Sequence, residues 1–310
     1  MTDEQYLDVP VVLIAFNRPT QTRQVLEAIA RAKPRILLVV ADGPRSSKVG
    51  EAALVEDVRR TVTEGITWSC DVRLNYSEVN LGCCERVHTG LNWVFSQVER
   101  AIILEDDCLP DPDFFNFCAE KLDSYSEDPS VYSISGSNFS ENQEADGYYL
   151  SDYSLMWGWA TWANRWDNYR VNPDDFFGIC LRKWWTRPIA AIYWLSVFSR
   201  LARNIPYPTW DYQWILTVWR QNAKCCRPSR NLVKNIGFGP DATHTTSDDR
   251  FSYLTAGSRT PIADRLLCAS DKRRADLADE KIWALISLRT IIYLHFPVLK
   301  LLRARLPRIP

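Results

Sequence analysis

Apolar and polar segments alternate regularly through the first third of the chain. Val9 to Phe16 is almost wholly apolar, and the polar turn Asn17-Arg18-Pro19-Thr20 ends it. A short apolar run bounded by turn residues predicts a buried strand. From Gln21 to Ala32 the apolar positions recur at helical spacing, which predicts an amphipathic helix. The unit then repeats. A strand is expected over Arg35 to Ala41, closed by Asp42-Gly43-Pro44, then a helix from Lys48 to Thr63 and a strand within Ile66 to Leu74. A helix over Gly82 to Val98 carries Val87, Leu91, Val94 and Val98 on one face. Next, the run Ala101-Ile102-Ile103-Leu104 stops abruptly at Glu105-Asp106-Asp107, with Pro110 and Pro112 close behind. Strands alternating with helices predict an α/β fold, a mostly parallel central sheet flanked by helices on both faces.

Beyond Asp113 the pattern changes. A helix over Phe114 to Tyr125 and a strand over Val131 to Ser135 precede a Ser- and Asn-rich loop from Gly136 to Gly147. Tyr148 to Trp219 is rich in aromatic residues and reads as mostly helical, including a helix over Trp210 to Gln221. Asn235 to Thr246 reads as a loop with two glycines. No linker separates these parts. The chain divides into a first half over residues 1–113, a second half over 114–270 of the same unit, and a C-terminal helical tail over 271–310. From Lys281 onward there are six basic residues and no acidic one among many apolar ones, a composition suited to peripheral contact with an anionic membrane.

Ligands of open α/β sheets bind beyond the carboxyl ends of the strands. Asn17, Arg18, Asp42 and the acidic triplet all fall at such ends. Three crowded carboxylates repel one another and lose hydration. A hard divalent cation, Mg²⁺ or Mn²⁺, relieves that cost and commonly takes phosphate oxygens as further ligands. The plainer alternative is an acidic loop cap facing water.

Composition narrows the field. A net charge of −1 and a pI near 6.3 give no basic field for nucleic acid. The nine cysteines are scattered and contain no C-x-x-C, which argues against zinc. With an acidic first segment that lacks a hydrophobic signal core, they point to free thiols in a cytoplasmic setting, at most at the inner face of the membrane. No apolar run reaches the length of a membrane span. Most of the thirteen tryptophans lie between Trp157 and Trp219. Core packing accounts for the majority of them, and Trp157, Trp159 and Trp162 are candidates for an acceptor-side wall.

The order of these features carries a resemblance. It comprises Asn17-Arg18, then Asp42, then Asn80-Leu81-Gly82 opening a helix with His88, then Glu105-Asp106-Asp107. Asp113-Phe114-Phe115, Gly158-Trp159 and Trp210-Asp211 complete it. The chain resembles the inverting glycosyltransferases of the glycosyltransferase-A fold, most of all the branch of N-acetylglucosaminyltransferase I and its bacterial relatives. The likeness spans Val9 to Thr246 and is most specific between Ile102 and Phe115. It implies that Asp107 ligates Mn²⁺ (or Mg²⁺) bridging the two phosphates of a nucleotide sugar, with His244 supplying a late ligand to the metal or the phosphates. It implies that Ala15, Asn17, Arg18, Asp42, His88, Glu105 and Asp106 line the nucleotide-sugar site, Asp42 accepting from a uracil N–H and Asp106 lying near the ribose. It makes Asp211 the catalytic base. The implied partners are a UDP-sugar, UDP-N-acetylglucosamine first, and a hydroxyl of a glycan or lipid-linked saccharide.

Ordinary readings stand beside these. Asp211 also suits the N-cap of the helix that follows, and Asp42-Gly43 is common turn chemistry. Two competing functions remain. One is a sugar nucleotidyltransferase, whose glycine-rich first loop is missing from Ala15-Phe16-Asn17-Arg18-Pro19. The other is a carbohydrate- or membrane-binding protein without catalysis.

Overall fold

The computed structural model describes residues 6–140, 146–172, 174–184, 187–203, 209–237 and 261–281. His244 and the tail beyond Lys281 lie outside the described residues. In chain order the elements are β1 Val11–Ala15, α1 Pro19–Ala32, β2 Ile36–Ala41, α2 Glu51–Gly65, β3 Asp71–Tyr76 and α3 Cys83–Phe95. Then come β4 Arg100–Glu105, β5 Cys108–Pro110, α4 Pro112–Ser124, β6 Val131–Ser135, β7 Tyr148–Ser151 and β8 Trp159–Trp162. Four helices follow, α5 Ala163–Trp166, α6 Phe176–Trp184, α7 Pro188–Ala202 and α8 Asp211–Arg220, and then β9 Lys224–Pro228 and β10 Val233–Asn235. Residues 269–281 form one more helix.

Eight strands make one sheet in the order β3-β2-β1-β4-β8-β6-β9-β7. Pairs β3–β2, β2–β1, β1–β4 and β6–β9 are parallel. Pairs β4–β8, β6–β8 and β7–β9 are antiparallel, so six of the eight strands point the same way. Because β4 pairs with β8, the sheet runs unbroken across Asp113 and joins the two halves of the chain. The continuous apolar strands follow from burial on both faces. Val11 and Leu13 of β1, Leu37 and Val39 of β2, and Ile102 and Leu104 of β4 enter one core, against Val25, Leu26 and Ile29 of α1. Their alternates Val12, Ile14, Leu38, Val40, Ala101 and Ile103 enter the opposite core, against Val87, Leu91 and Val94 of α3 and Trp214 of α8. A third core gathers Trp194 and Phe198 of α7 with Ile215, Leu216 and Trp219 of α8.

Two expectations are corrected. The third strand, Asp71–Tyr76, runs two residues past the expected Leu74. Trp68 is held outside the sheet, where its indole N–H donates to the Pro34 carbonyl at 2.9 Å, and β3 is a half-exposed edge strand with no apolar run to reveal it. The stretch from Tyr148 is not mostly helical at its start. Its aromatic residues serve β7 and β8, where Tyr149 and all four residues of Trp159–Trp162 are buried. The tryptophans at 159 and 162 are core residues, 1% and 5% exposed, whereas Trp157 is half-buried against Phe139.

All nine cysteines are free thiols. Among the described residues no helix is long and apolar enough to cross a membrane. Helix 269–281 is fastened to the sheet by charge. Arg227 of β9 and Asp279 are both fully buried and pair with each other, and Arg227 also donates to the Ser137 carbonyl at 3.2 Å. Removing one member of such a pair strands the other charge without water. Asp279→Asn should therefore lower the unfolding free energy by about 3 kcal/mol or more, measured by urea denaturation, and adding Arg227→Met should restore most of the loss. A change below about 1 kcal/mol for Asp279→Asn would show that the pair does not hold this helix.

Candidate active site

Parallel register decides what meets at the rim of the sheet. Ile14 lies beside Glu105, and Ala15 beside Ala41. The residues that leave β1, β2 and β4 therefore emerge side by side. Asp106, only 6% exposed, turns back toward the β1–α1 turn and accepts from the Phe16 N–H at 3.1 Å. Arg18 reaches across the same turn. Its Nη1 lies 2.6 Å from Asp107 Oδ2 and 3.5 Å from Asp106 Oδ1. Burial works against the Arg18 charge, but Asp106 and Asp107 outweigh it and strengthen the guanidinium's hold on its proton.

The acid cluster carries more negative charge than Arg18 offsets. Burial, then Asp107, Asp106 and Asp211, push Glu105 up to about 8, against a hydrogen bond from the Trp210 side chain. Burial and then Asp107 push Asp106 up to about 7, although Arg18 and the Phe16 N–H oppose them. Asp211 is thus close enough to Glu105 to disturb it, although the two are more than a hundred positions apart in the sequence. It is the first residue of α8, whose N-cap is Trp210, and the N-cap position makes no side-chain hydrogen bond. Asp211 accepts instead from the Thr209 hydroxyl. The capping role considered for Asp211 is therefore not what it does here. Cys83, at the start of α3, joins the same corner, its thiol pushed up by burial and then by Glu105 and Asp211.

Other expected site residues are tied into the frame. Asp42 is 5% exposed. Its Oδ1 accepts from the N–H groups of Gly43 and Leu81, each at 2.9 Å, and its Oδ2 from Asn80 Nδ2 and the Gly82 N–H, each at 3.0 Å. Four donors fill the roughly four lone-pair sites of a carboxylate. Asp42 thus pins the Asn80–Gly82 turn and, in this arrangement, has no site left for a uracil N–H. Asn17 Nδ2 donates to Glu51 at 3.0 Å, and Ala15 offers its carbonyl to the Asp42 N–H at 3.3 Å. His88 faces Tyr169, with ring centroids 5.5 Å apart, and its Nε2 lies 3.1 Å from Asn92. It makes no hydrogen bond to the rim carboxylates among the described residues.

Three contributors escaped the sequence reading. Glu51, 5% exposed, binds Arg45 and Asn17 and holds the β2–α2 loop against the rim; in sequence it is one more acid in a helix's first turn. Arg86, also buried, braces the ends of β2 and β3 through the Ala41 carbonyl at 3.1 Å and Asn75 Oδ1 at 2.6 Å. Gly237 passes so close to Asp107 that a Cβ there would lie 2.3 Å from Oδ2. The β5–β10 ribbon sets this approach, with the Ile236 N–H donating to the Asp107 carbonyl at 2.8 Å.

Three side-chain carboxyls with one arginine make a donor set of hard oxygens short of positive charge. Among the described residues, no three metal-capable side chains converge closely enough to cage an ion by themselves. A hard cation that keeps waters and takes phosphate oxygens needs only one or two carboxylates, and Asp107, half-buried at the mouth of the cluster, fits that part.

No family model matches the chain. Among solved structures it is similar to a UDP-glucose pyrophosphorylase complexed with UDP-glucose, with 9% identity over 74% of this chain and 91% of that one and a TM-score of 0.39. It is also similar to the 4-diphosphocytidyl-2C-methyl-D-erythritol synthase of Anaerococcus prevotii DSM 20548, with 10% identity over 52% of this chain and 76% of that one and a TM-score of 0.33. Likenesses this remote assign no activity.

The raised carboxyls fix a pH dependence. Glu105 and Asp106 hold protons in the folded chain that the unfolded chain has already released between about pH 4 and pH 8. In that window the native state binds more protons than the unfolded one, so stability falls as pH rises. The thermal midpoint of the metal-free protein should decline from about pH 5 to about pH 8, and Glu105→Gln should flatten the decline. A midpoint that rises across the window, equally in both proteins, would contradict the crowding of charge.

Proposed function

We propose that this protein is a divalent-metal-dependent glycosyltransferase that moves a sugar from a nucleotide sugar to a hydroxyl of a saccharide acceptor with inversion. UDP is the nucleotide and UDP-N-acetylglucosamine the first donor to try. One observation carries the reading. Glu105, Asp106, Asp107, Arg18 and Asp211 meet at a single rim from three distant parts of the chain, with their negative charge under-compensated.

In this reading Asp107 holds Mn²⁺ or Mg²⁺, and the metal supplies charge neutralisation for a departing diphosphate. Arg18, already balanced between Asp106 and Asp107, adds its charge toward the same phosphates. Asp106 fixes the β1–α1 turn on which the nucleotide rests, and the Asn80–Gly82 turn held by Asp42 borders the base. Asp211 takes the proton of the attacking hydroxyl as its bond to the anomeric carbon forms. Glu105 lies between the metal side and Asp211. Attack opposite the leaving diphosphate inverts the anomeric centre and requires no covalent sugar–enzyme intermediate.

A nucleotidyltransferase would use much of the same rim. The absence of any glycine from Ala15 to Pro19 counts against it, because the backbone of such a loop is what approaches a triphosphate. The two chemistries part in a single assay. With Mn²⁺ and a panel of UDP-sugars, a glycosyltransferase releases UDP by transfer or slow hydrolysis. A nucleotidyltransferase consumes the same sugars only with pyrophosphate and forms UTP.

Two substitutions test the roles. Asp107→Ala should abolish transfer and also lose metal-dependent nucleotide binding. Asp211→Asn should retain UDP-sugar binding and lose about 100-fold or more in kcat, the usual worth of a general base. Normal turnover by Asp211→Asn would remove it from the mechanism, and pyrophosphate-dependent UTP formation would replace the glycosyltransferase reading altogether.

A further inference from the structure

The helix over residues 269–281 sorts its charges by face. Asp276 and Asp279 are fully buried, and Glu280 is half-buried. Asp276 lies 3.0 Å from Lys272 and 3.4 Å from Arg187, and it accepts from Ser151 Oγ at 2.6 Å. Asp279 pairs with Arg227, and Glu280 lies 2.7 Å from Arg187. The opposite face carries Arg273, Arg274, Leu277 and Lys281, all exposed. At 3.6 residues per turn these four fall within about 100° of the helix circumference. No acidic residue of this helix is exposed. The three outward cations make no hydrogen bond or ion pair among the described residues, whereas Asp276, Asp279 and Glu280 each have a cation, and the half-buried Asp271 at the helix start accepts from the Cys268 thiol.

The neighbouring α6 is also rich in basic residues, with the exposed Asp174 and Asp175 just before it. Asp152 joins it to α6, lying 2.8 Å from Lys272 and 3.0 Å from Lys183. From Phe176 to Arg203 there are five basic residues and no acidic one. On this stretch α6 exposes Phe177 at 62% and Leu181 at 52%, one helical turn apart. Beyond Lys281 the sequence carries five more basic residues and no acidic one.

We infer that the outer face of helix 269–281 is a docking surface for an anionic lipid bilayer. Acids turned inward and bases turned outward around an exposed leucine give a face matched to negative headgroups with a shallow apolar layer beneath them. The exposed Leu277 amid the three cations distinguishes this surface from one built for a free polyanion, which offers an apolar side chain nothing. Because a buried ion pair fastens the helix to β9 and a hydrogen bond from Ser151 fastens it to β7, binding at this face holds the whole sheet at the membrane. The inference stands independently of the nucleotide-sugar reading, since lipid binding is measured without any nucleotide.

The test is co-sedimentation of the full chain with vesicles of phosphatidylcholine alone or mixed with phosphatidylglycerol. The native protein should bind the mixed vesicles and not the neutral ones, less tightly at high salt. Arg273→Glu with Arg274→Glu and Lys281→Glu should lower the partition coefficient at least about tenfold. The thermal midpoint of that triple variant should match the native one, because none of the three side chains holds a partner among the described residues. A milder triple variant with glutamine at these positions should bind at an intermediate level, which separates lost charge from any folding defect. The inference is overturned if the glutamate variant sediments with anionic vesicles as well as the native protein, or if the native protein ignores them.

Discussion

The structure turns on the crowding of three carboxyls at the end of β4 and on Arg18, which answers them. Burial of β4 delivers Glu105, Asp106 and Asp107 to a place with too little water to hydrate them, and parallel register delivers Arg18 from β1 to the same place. Charge at this corner does two things at once. It pins the β1–α1 turn through the Phe16 N–H and Arg18, and it leaves an excess of negative potential at the mouth of the sheet. A fold seeking stability alone would have little reason to crowd three carboxyls beside one another with so little water. A fold that admits a cation gains from the same arrangement.

The frame around the corner is specialised for stiffness. Asp42 fixes the Asn80–Gly82 turn with three hydrogen bonds, Glu51 ties Asn17 to Arg45, and Arg86 closes the ends of β2 and β3. Each of these is a buried charged or polar group with its partners supplied, the condition under which such groups rigidify a site. On the opposite side, the aromatic core under Trp159, Trp166 and Trp214 supports the start of α8 and so the position of Asp211. Trp159 and Trp210 stack with centroids 5.3 Å apart, immediately before that residue in the chain.

Much of this was legible in the sequence, for a physical reason. β1, β2 and β4 are buried on both faces, so their composition alone marks them, and the polar residues that end them mark the rim. β3 is an edge strand with a half-polar composition, so its bounds within the stretch from Ile66 and its end at Tyr76 leave no clear mark in the sequence. β7 and β8 hid among tryptophans and tyrosines that suit strands and helices equally. Pairings were beyond reach. Nothing local in Asp42 tells that four donors surround it, and nothing in Glu51 or Arg86 distinguishes a buried brace from a solvated helix residue. Only the fold brings Asp211 to Glu105.

Calorimetry addresses the central claim most directly. UDP is titrated into the native protein with Mn²⁺ present, and again with the ion removed by chelation. If the rim carboxylates admit a cation that is shared with a diphosphate, the two ligands must strengthen each other reciprocally. UDP then binds much more tightly with Mn²⁺, and Mn²⁺ more tightly with UDP. Equal UDP binding with and without the ion, or none in either case, would contradict the account.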